Sequence, residues 1–217
     1  MSFSFVQSID IYDTTNLTLN GVGAGNLLVG FVCAASTLAS VNISGGGTWV
    51  PQTELSTGNS RVKLYYCLSA TGGNSTFSLS GSMTDGGWGV LEFSNSGTAV
   101  FDSLTNTRPP SGTTFSSGNI TVGNNNSLMV SCLSDETVYN QEITWNSEWV
   151  KQEESISHLH SCAYRIIVSS GTYTASGSRL SSSNDMALST LVFYESGAAA
   201  TASLPIRPIQ FYHLLAR

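Results

Sequence analysis

Histidines and carboxylates are the residues with which this chain could do chemistry, and there are few of them. His158 and His160 sit two apart in "HLH", so on an extended strand both imidazoles share one face. That is the spacing of a two-histidine metal site, with Glu142 or Glu153 as the nearest third ligand. The remaining histidine is His213. A glycosidase needs two carboxylates facing one cleft, which on one strand would read E-x-D or E-x-E, and neither occurs. Glu153 and Glu154 are adjacent and point to opposite faces, while Glu92 and Glu195 end apolar runs singly. There is no G-x-S-x-G nucleophile elbow. "GVGAGN" at 21–26 has Asn26 where a dinucleotide loop carries its third glycine, and it leads into a strand rather than a helix, so it reads as a turn. The reading is of a chain with no catalytic residue, no metal and no cofactor.

Cysteines and tryptophans complete the inventory. Cys33, Cys67, Cys132 and Cys162 each lie inside an apolar run, and no C-x-x-C occurs. They read as small buried hydrophobes, with one disulfide between neighbouring strands left open. Trp145 and Trp149 share a face if their segment is extended; exposed, they could stack on a sugar ring. Trp149 answers Trp49 in an internal repeat, which argues for core. Trp88, set among glycines, is the better candidate for a surface platform, with Trp145 second.

The elements that must position these residues are strands. Of 217 residues 41% are hydrophobic and only 10% charged, a composition that fits a folded β protein with neutral, hydroxyl-rich faces better than a disordered chain. The net charge of −6 is carried without any basic stripe, which excludes a nucleic-acid surface and disfavours an anionic membrane. No apolar run reaches the roughly 20 residues of a spanning helix. The first residues carry neither a basic n-region nor a cleavage site, so no secretory leader is expected.

The chain says most things twice. "LTLNGVGAGNLLVGFV" from Leu17 matches "ITVGNNNSLMVSCL" from Ile120, "GGTWVPQTE" matches "NSEWVKQEE", and "WGVLEFSNSG" matches "LSTLVFYESG". "TFSLS" and "TYTAS" alternate apolar and polar residues, while "LLVGFV" and "LMVSCL" are continuous runs of the kind covered on both faces. Gly and Asn clusters punctuate them as turns. The expected fold is all-β: an antiparallel β-sandwich, jelly-roll-like, spanning 1–197 and built from two repeats at about 14–96 and 117–197, which either share one core or each fold around their own. The polar link between the repeats, with Pro109-Pro110 at its centre, reads as a loop or edge crossing.

The order "AGNLLV", "GGTW", "LYY" and "WGVLEFS", together with the link "FDSLTNTRPPSGTTFSSGNITV", resembles a repeated β-sandwich domain of bacteriophage virion surface proteins and some bacterial surface proteins. The resemblance implies a virion surface or adhesive module without catalytic residues. In the second repeat Asn146-Ser147 replaces Gly-Gly before Trp149, so a ligand site common to both repeats is not implied.

The segment 198–217 is a small-residue linker followed by an apolar tail. Ile206, Ile209, Phe211, Tyr212, Leu214 and Leu215 must cover something, either the chain's own sandwich or a neighbouring subunit or shell protein. The expectation is a non-enzymatic bacteriophage structural protein, a surface decoration or head-fibre subunit. It is expected to be made in the host cytoplasm, to be homo-oligomeric or bound to other virion proteins, and to be held by that tail. The alternative is a carbohydrate- or receptor-binding adhesion module of a tail fibre or cell surface, with a host glycan as partner.

Overall fold

The computed structural model describes residues 3–12, 14–35, 38, 40–81, 83, 85–135, 142–155 and 160–197. The expected tail residues Ile206, Ile209, Phe211, Tyr212, Leu214 and Leu215 lie outside the described residues, as do His158 and His213. Strands and turns make up what is described, and no helix there is long and apolar enough to cross a membrane. The first half comprises β1 (Ser4–Tyr12), β2 (Asn16–Val22), β3 (Leu27–Ala34), β4 (Asn42–Ser44), β5 (Val50–Pro51), β6 (Leu55–Thr57), β7 (Ser60–Cys67), β8 (Gly73–Ser80) and β9 (Gly86–Ser94). The second comprises β10 (Thr98–Thr107), β11 (Gly112–Ser116), β12 (Ile120–Val122), β13 (Ser127–Ser134), β14 (Ile143–Trp145), β15 (Val150–Ser155), β16 (His160–Ile167), β17 (Gly171–Tyr173), β18 (Ser176–Ser183) and β19 (Ala187–Ser196).

These strands form antiparallel sheets packed face to face, an all-β sandwich arrangement. The first half has a large sheet ordered β1-β9-β3-β7-β5, with β6 also on β7, and a small sheet β2-β8-β4. The second half follows the same path, β10-β19-β13-β16-β15, with a small sheet β11-β18-β14 and a ribbon β12-β17. The edge strands even kink alike. Phe5 pairs with Phe93 and Phe101 with Phe193, and a bulge follows each of the two edge phenylalanines. β1 and β10 fall outside the repeat bounds expected from sequence. The stretch read as a link is a long edge strand as far as Thr107, and Pro109-Pro110 sit between β10 and β11, where no ladder needs their missing donors.

One core is shared by the two halves, and each half has a second core of its own. Period-two alternation sends successive residues of one strand to opposite faces. In β3, Leu27, Val29, Phe31 and Cys33 enter a central core, while Leu28, Val32 and Ala34 enter a core private to the first half. In β13, Leu128, Val130 and Cys132 enter the same central core, while Met129 and Leu133 enter a core private to the second half. The large sheets therefore lie back to back and each is roofed by its own small sheet. This is why β3 and β13 are buried at every position.

Contacts across the central core come in reciprocal pairs. The ring of Phe5 stacks on Tyr164 with centroids 5.4 Å apart, and Phe101 stacks on Tyr66 at 4.8 Å. Each stack adds roughly 0.5–1.5 kcal/mol beyond the area it buries. The cysteines divide. Cys132 and Cys162 face each other on β13 and β16 and are disulfide-bonded, Cα to Cα 4.3 Å. The sulfur of Cys33 comes within 3.6 Å of Cys132 across the central core.

Candidate functional site

Two places bring chemically capable side chains together. The first lies on the seam where β1 of the first half meets β15 and β16 of the second. β1 places Ile9 and Ile11 against the first half's private core, so Ser8 and Asp10 face the other way, towards the second half. Asp10 Oδ2 lies 3.2 Å from His160 Nε2, and the imidazole is buried. Its Nδ1 is also buried and has no hydrogen-bond partner among the described residues. The ring fits because Phe31 lies 5.4 Å away, centroid to centroid, and because position 87 is glycine, where a methyl group would collide with the imidazole.

Glu153 completes this cluster through hydrogen bonds with Asp10 and Ser8. Its carboxyl is pushed up to about 7, first by burial and then by the neighbouring Asp10 charge, with the Ser8 hydrogen bond opposing. Burial also raises Asp10, but the hydrogen bond and charge of His160, with hydrogen bonds from Glu153 and its own backbone, together hold Asp10 below its ordinary 3.8. Of the two, Glu153 therefore holds a proton more readily and Asp10 carries the charge. Among the described residues no group of three or more His, Cys, Asp or Glu is placed to hold a metal ion. Of the ligands considered from sequence, Glu153 does meet the neighbourhood of His160, whereas Glu142 pairs with Lys151 at 3.8 Å. Asp10 has no partner at strand spacing in the sequence. The signal available was a charge between two isoleucines in "IDIY".

The second place is a cleft of about 380 Å³ in the second half. Where the first half runs β8 unbroken, the second half splits the matching strand into β17 and β18. The carbonyl of Thr174 in that break accepts the Trp149 indole N–H at 3.1 Å. A turn over the break is held by Asn146, whose Nδ2 donates to Ser176 Oγ at 2.6 Å. Arg165 on β16 reaches the cleft wall, pairs with Glu148 at 2.5 Å, and lies 4.7 Å above the Tyr173 ring.

The indoles expected to offer stacking surfaces are elsewhere. Trp88 is 0% exposed in the first half's private core, with its N–H donated to the Thr14 carbonyl at 2.8 Å. Trp145 is 7% exposed and packs edge-on against Phe115, its N–H donated to Ser161 Oγ. Neither ring presents a face to solvent. Comparison of the chain with protein-family models, curated proteins and solved structures finds no match.

Proposed function

We propose that the chain is a non-enzymatic structural protein of a bacteriophage virion, a decoration or head-fibre subunit on the particle surface. The observation that carries this reading is where the well-held carboxylates are committed. Glu92 is fully buried and accepts from Gln7 Nε2 at 2.6 Å, Gly23 N at 2.7 Å and Asn26 Nδ2 at 2.5 Å, which fixes the turn into β3. Glu195 likewise accepts from the Gly97 amide at 2.8 Å and from Ser96 at the junction of the halves. Asp185 binds the Asn59 amide and so ties the β6–β7 turn of one half to the other. Groups held this way are spent on fixing turns and joining the halves. The resemblance of the sequence to virion surface domains supports the same reading.

Deleting 204–217 tests it. The expected outcome is an unchanged β-type circular dichroism spectrum together with loss of co-sedimentation with phage particles and loss of self-association in light scattering. A truncated chain that assembles normally overturns the anchoring role. A second reading, an adhesion module of a tail fibre or cell surface, is favoured by one observation, the polar cleft beside Arg165.

A further inference from the structure

Strand register matches the cleft to a place in the first half. Val50 pairs with Tyr66 and Val150 with Tyr164, so the following residues, Cys67 and Arg165, occupy equivalent positions, as do Thr48 and Glu148. The first half has a hollow of about 290 Å³ there, lined by Thr48, Val50, Cys67, Leu68 and Ser69. The second half has enlarged it to about 380 Å³ and placed a charged pair, an amide and hydroxyls around it. Nothing in the frame demands this, because the first half closes the same sandwich without it.

The make-up of the wall restricts the ligand. Arg165 and Glu148 cancel each other's charge, and Arg165 Nη1 meets Glu148 Oε2. A guanidinium carries five N–H donors and a carboxylate about four acceptor sites, so both have capacity left. An anion would have to compete with Glu148 for Arg165, and the chain's net charge of −6 opposes it. An apolar ligand would strip water from the pair without replacing its hydrogen bonds. A vicinal diol suits both partners, since each hydroxyl donates and accepts. Stacking on Tyr173 fixes the guanidinium plane beforehand, which reduces the ordering cost of binding. The volume falls within the roughly 300–1,000 Å³ of small-molecule sites.

We propose that this cleft is a binding site for a neutral saccharide, held through Arg165, Glu148, Asn146, Thr174 and Ser176. The inference concerns the cleft alone and does not depend on whether the chain decorates a particle. It also does not involve the tryptophans considered from sequence.

The test is saturation-transfer NMR on the full chain with methyl α-glucoside, methyl α-mannoside, methyl β-galactoside, N-acetylglucosamine and lactose, with N-acetylneuraminic acid as the charged contrast. At least one neutral sugar at millimolar concentration is expected to receive saturation. Glu148→Gln and Arg165→Met are each expected to weaken binding at least tenfold, while Thr48→Ala at the matched first-half position leaves it unchanged. Glu148 is mostly exposed, so its substitution probes binding even if Arg165→Met fails to fold. Absence of any neutral-sugar signal, transfer to the acidic sugar alone, or binding that survives Glu148→Gln overturns the proposal. Particle co-sedimentation of the same variants is expected to be unchanged, which separates this outcome from failure of the structural role.

Discussion

Where the first half places Ala34 and Leu79 in its private core, the second half places Asp135 and Arg179 at the matching positions, as an ion pair buried to about 1% exposure. Where the first half has Val62, the second has His160. Where β10 presents Asn106 to the Thr53 carbonyl at 3.2 Å, β1 presents Asp10 to Glu153. The frame is the same in each case: strand order, bulge and register all coincide. What differs is the polarity of a few facing pairs. Alternation and turn chemistry specify the frame, so a facing pair can change from apolar to ionic if both members change together. The matched positions thus supply substitutions that the frame has already accepted once.

The Asp135–Arg179 pair offers the largest effect. Ser183 Oγ also donates to Asp135 Oδ1 at 2.7 Å. Arg179→Leu removes the cation facing this buried carboxylate and is expected to destabilise by about 3–5 kcal/mol in urea unfolding. The double variant Asp135→Ala with Arg179→Leu imports the first half's pair and is expected to recover most of that loss. A double variant as unstable as the single one would show that the two halves have diverged beyond exchange at this position.

Gly87 and His160 come next. Ala187 already carries a methyl group at the position matching Gly87, and His160 matches Val62. Gly87→Ala drives a methyl group into the imidazole and is expected to cost about 1–3 kcal/mol. Adding His160→Val is expected to relieve the overlap, though incompletely, because Asp10 then loses its partner. Thermal melts of both variants decide this, and no relief on adding valine would mean that the glycine answers to something other than the ring.

Much of the frame was legible in the sequence because burial leaves a pattern. β3 and β13 are covered on both faces and read as continuous apolar runs. β1 and β10 were not legible as partners. They lie at sheet edges, half-buried, and a bulge breaks the alternation of each. Nor can period two say which layer covers which face, so the sequence leaves open whether the halves share a core, and the structure holds both a shared core and two private ones. Trp88 departs from its sequence expectation for a local reason: the glycines beside it make room for Ala34, His160 and Phe31 rather than exposing the indole. Of the seam cluster, His160 and Glu153 carried a spacing signal, but Asp10 lies 150 residues from its partner and nothing near it in sequence points there.

The seam itself gives the smallest and most specific effect. Glu153 has an ordinary carboxyl value of 4.5 when unfolded and about 7 when folded, so between those values the folded state binds more protons than the unfolded one. Its contribution is therefore complete below 4.5, declines as pH rises towards 7, and is lost above it. Screening of partly solvated carboxyls limits the change to on the order of 1 kcal/mol. Asp10→Asn copies Asn106 of the other seam and removes the charge that helps raise Glu153. The variant is expected to shift the titration of Glu153 downwards and to flatten the decline, as read from urea midpoints across pH 4.5 to 7. The other seam has an amide facing a carbonyl at the matched place and so supplies no matching decline: Asn106→Ala is expected to lower stability by the same amount at every pH in that window. An Asp10→Asn variant that keeps the parental slope would place the proton elsewhere and remove the contrast between the two seams.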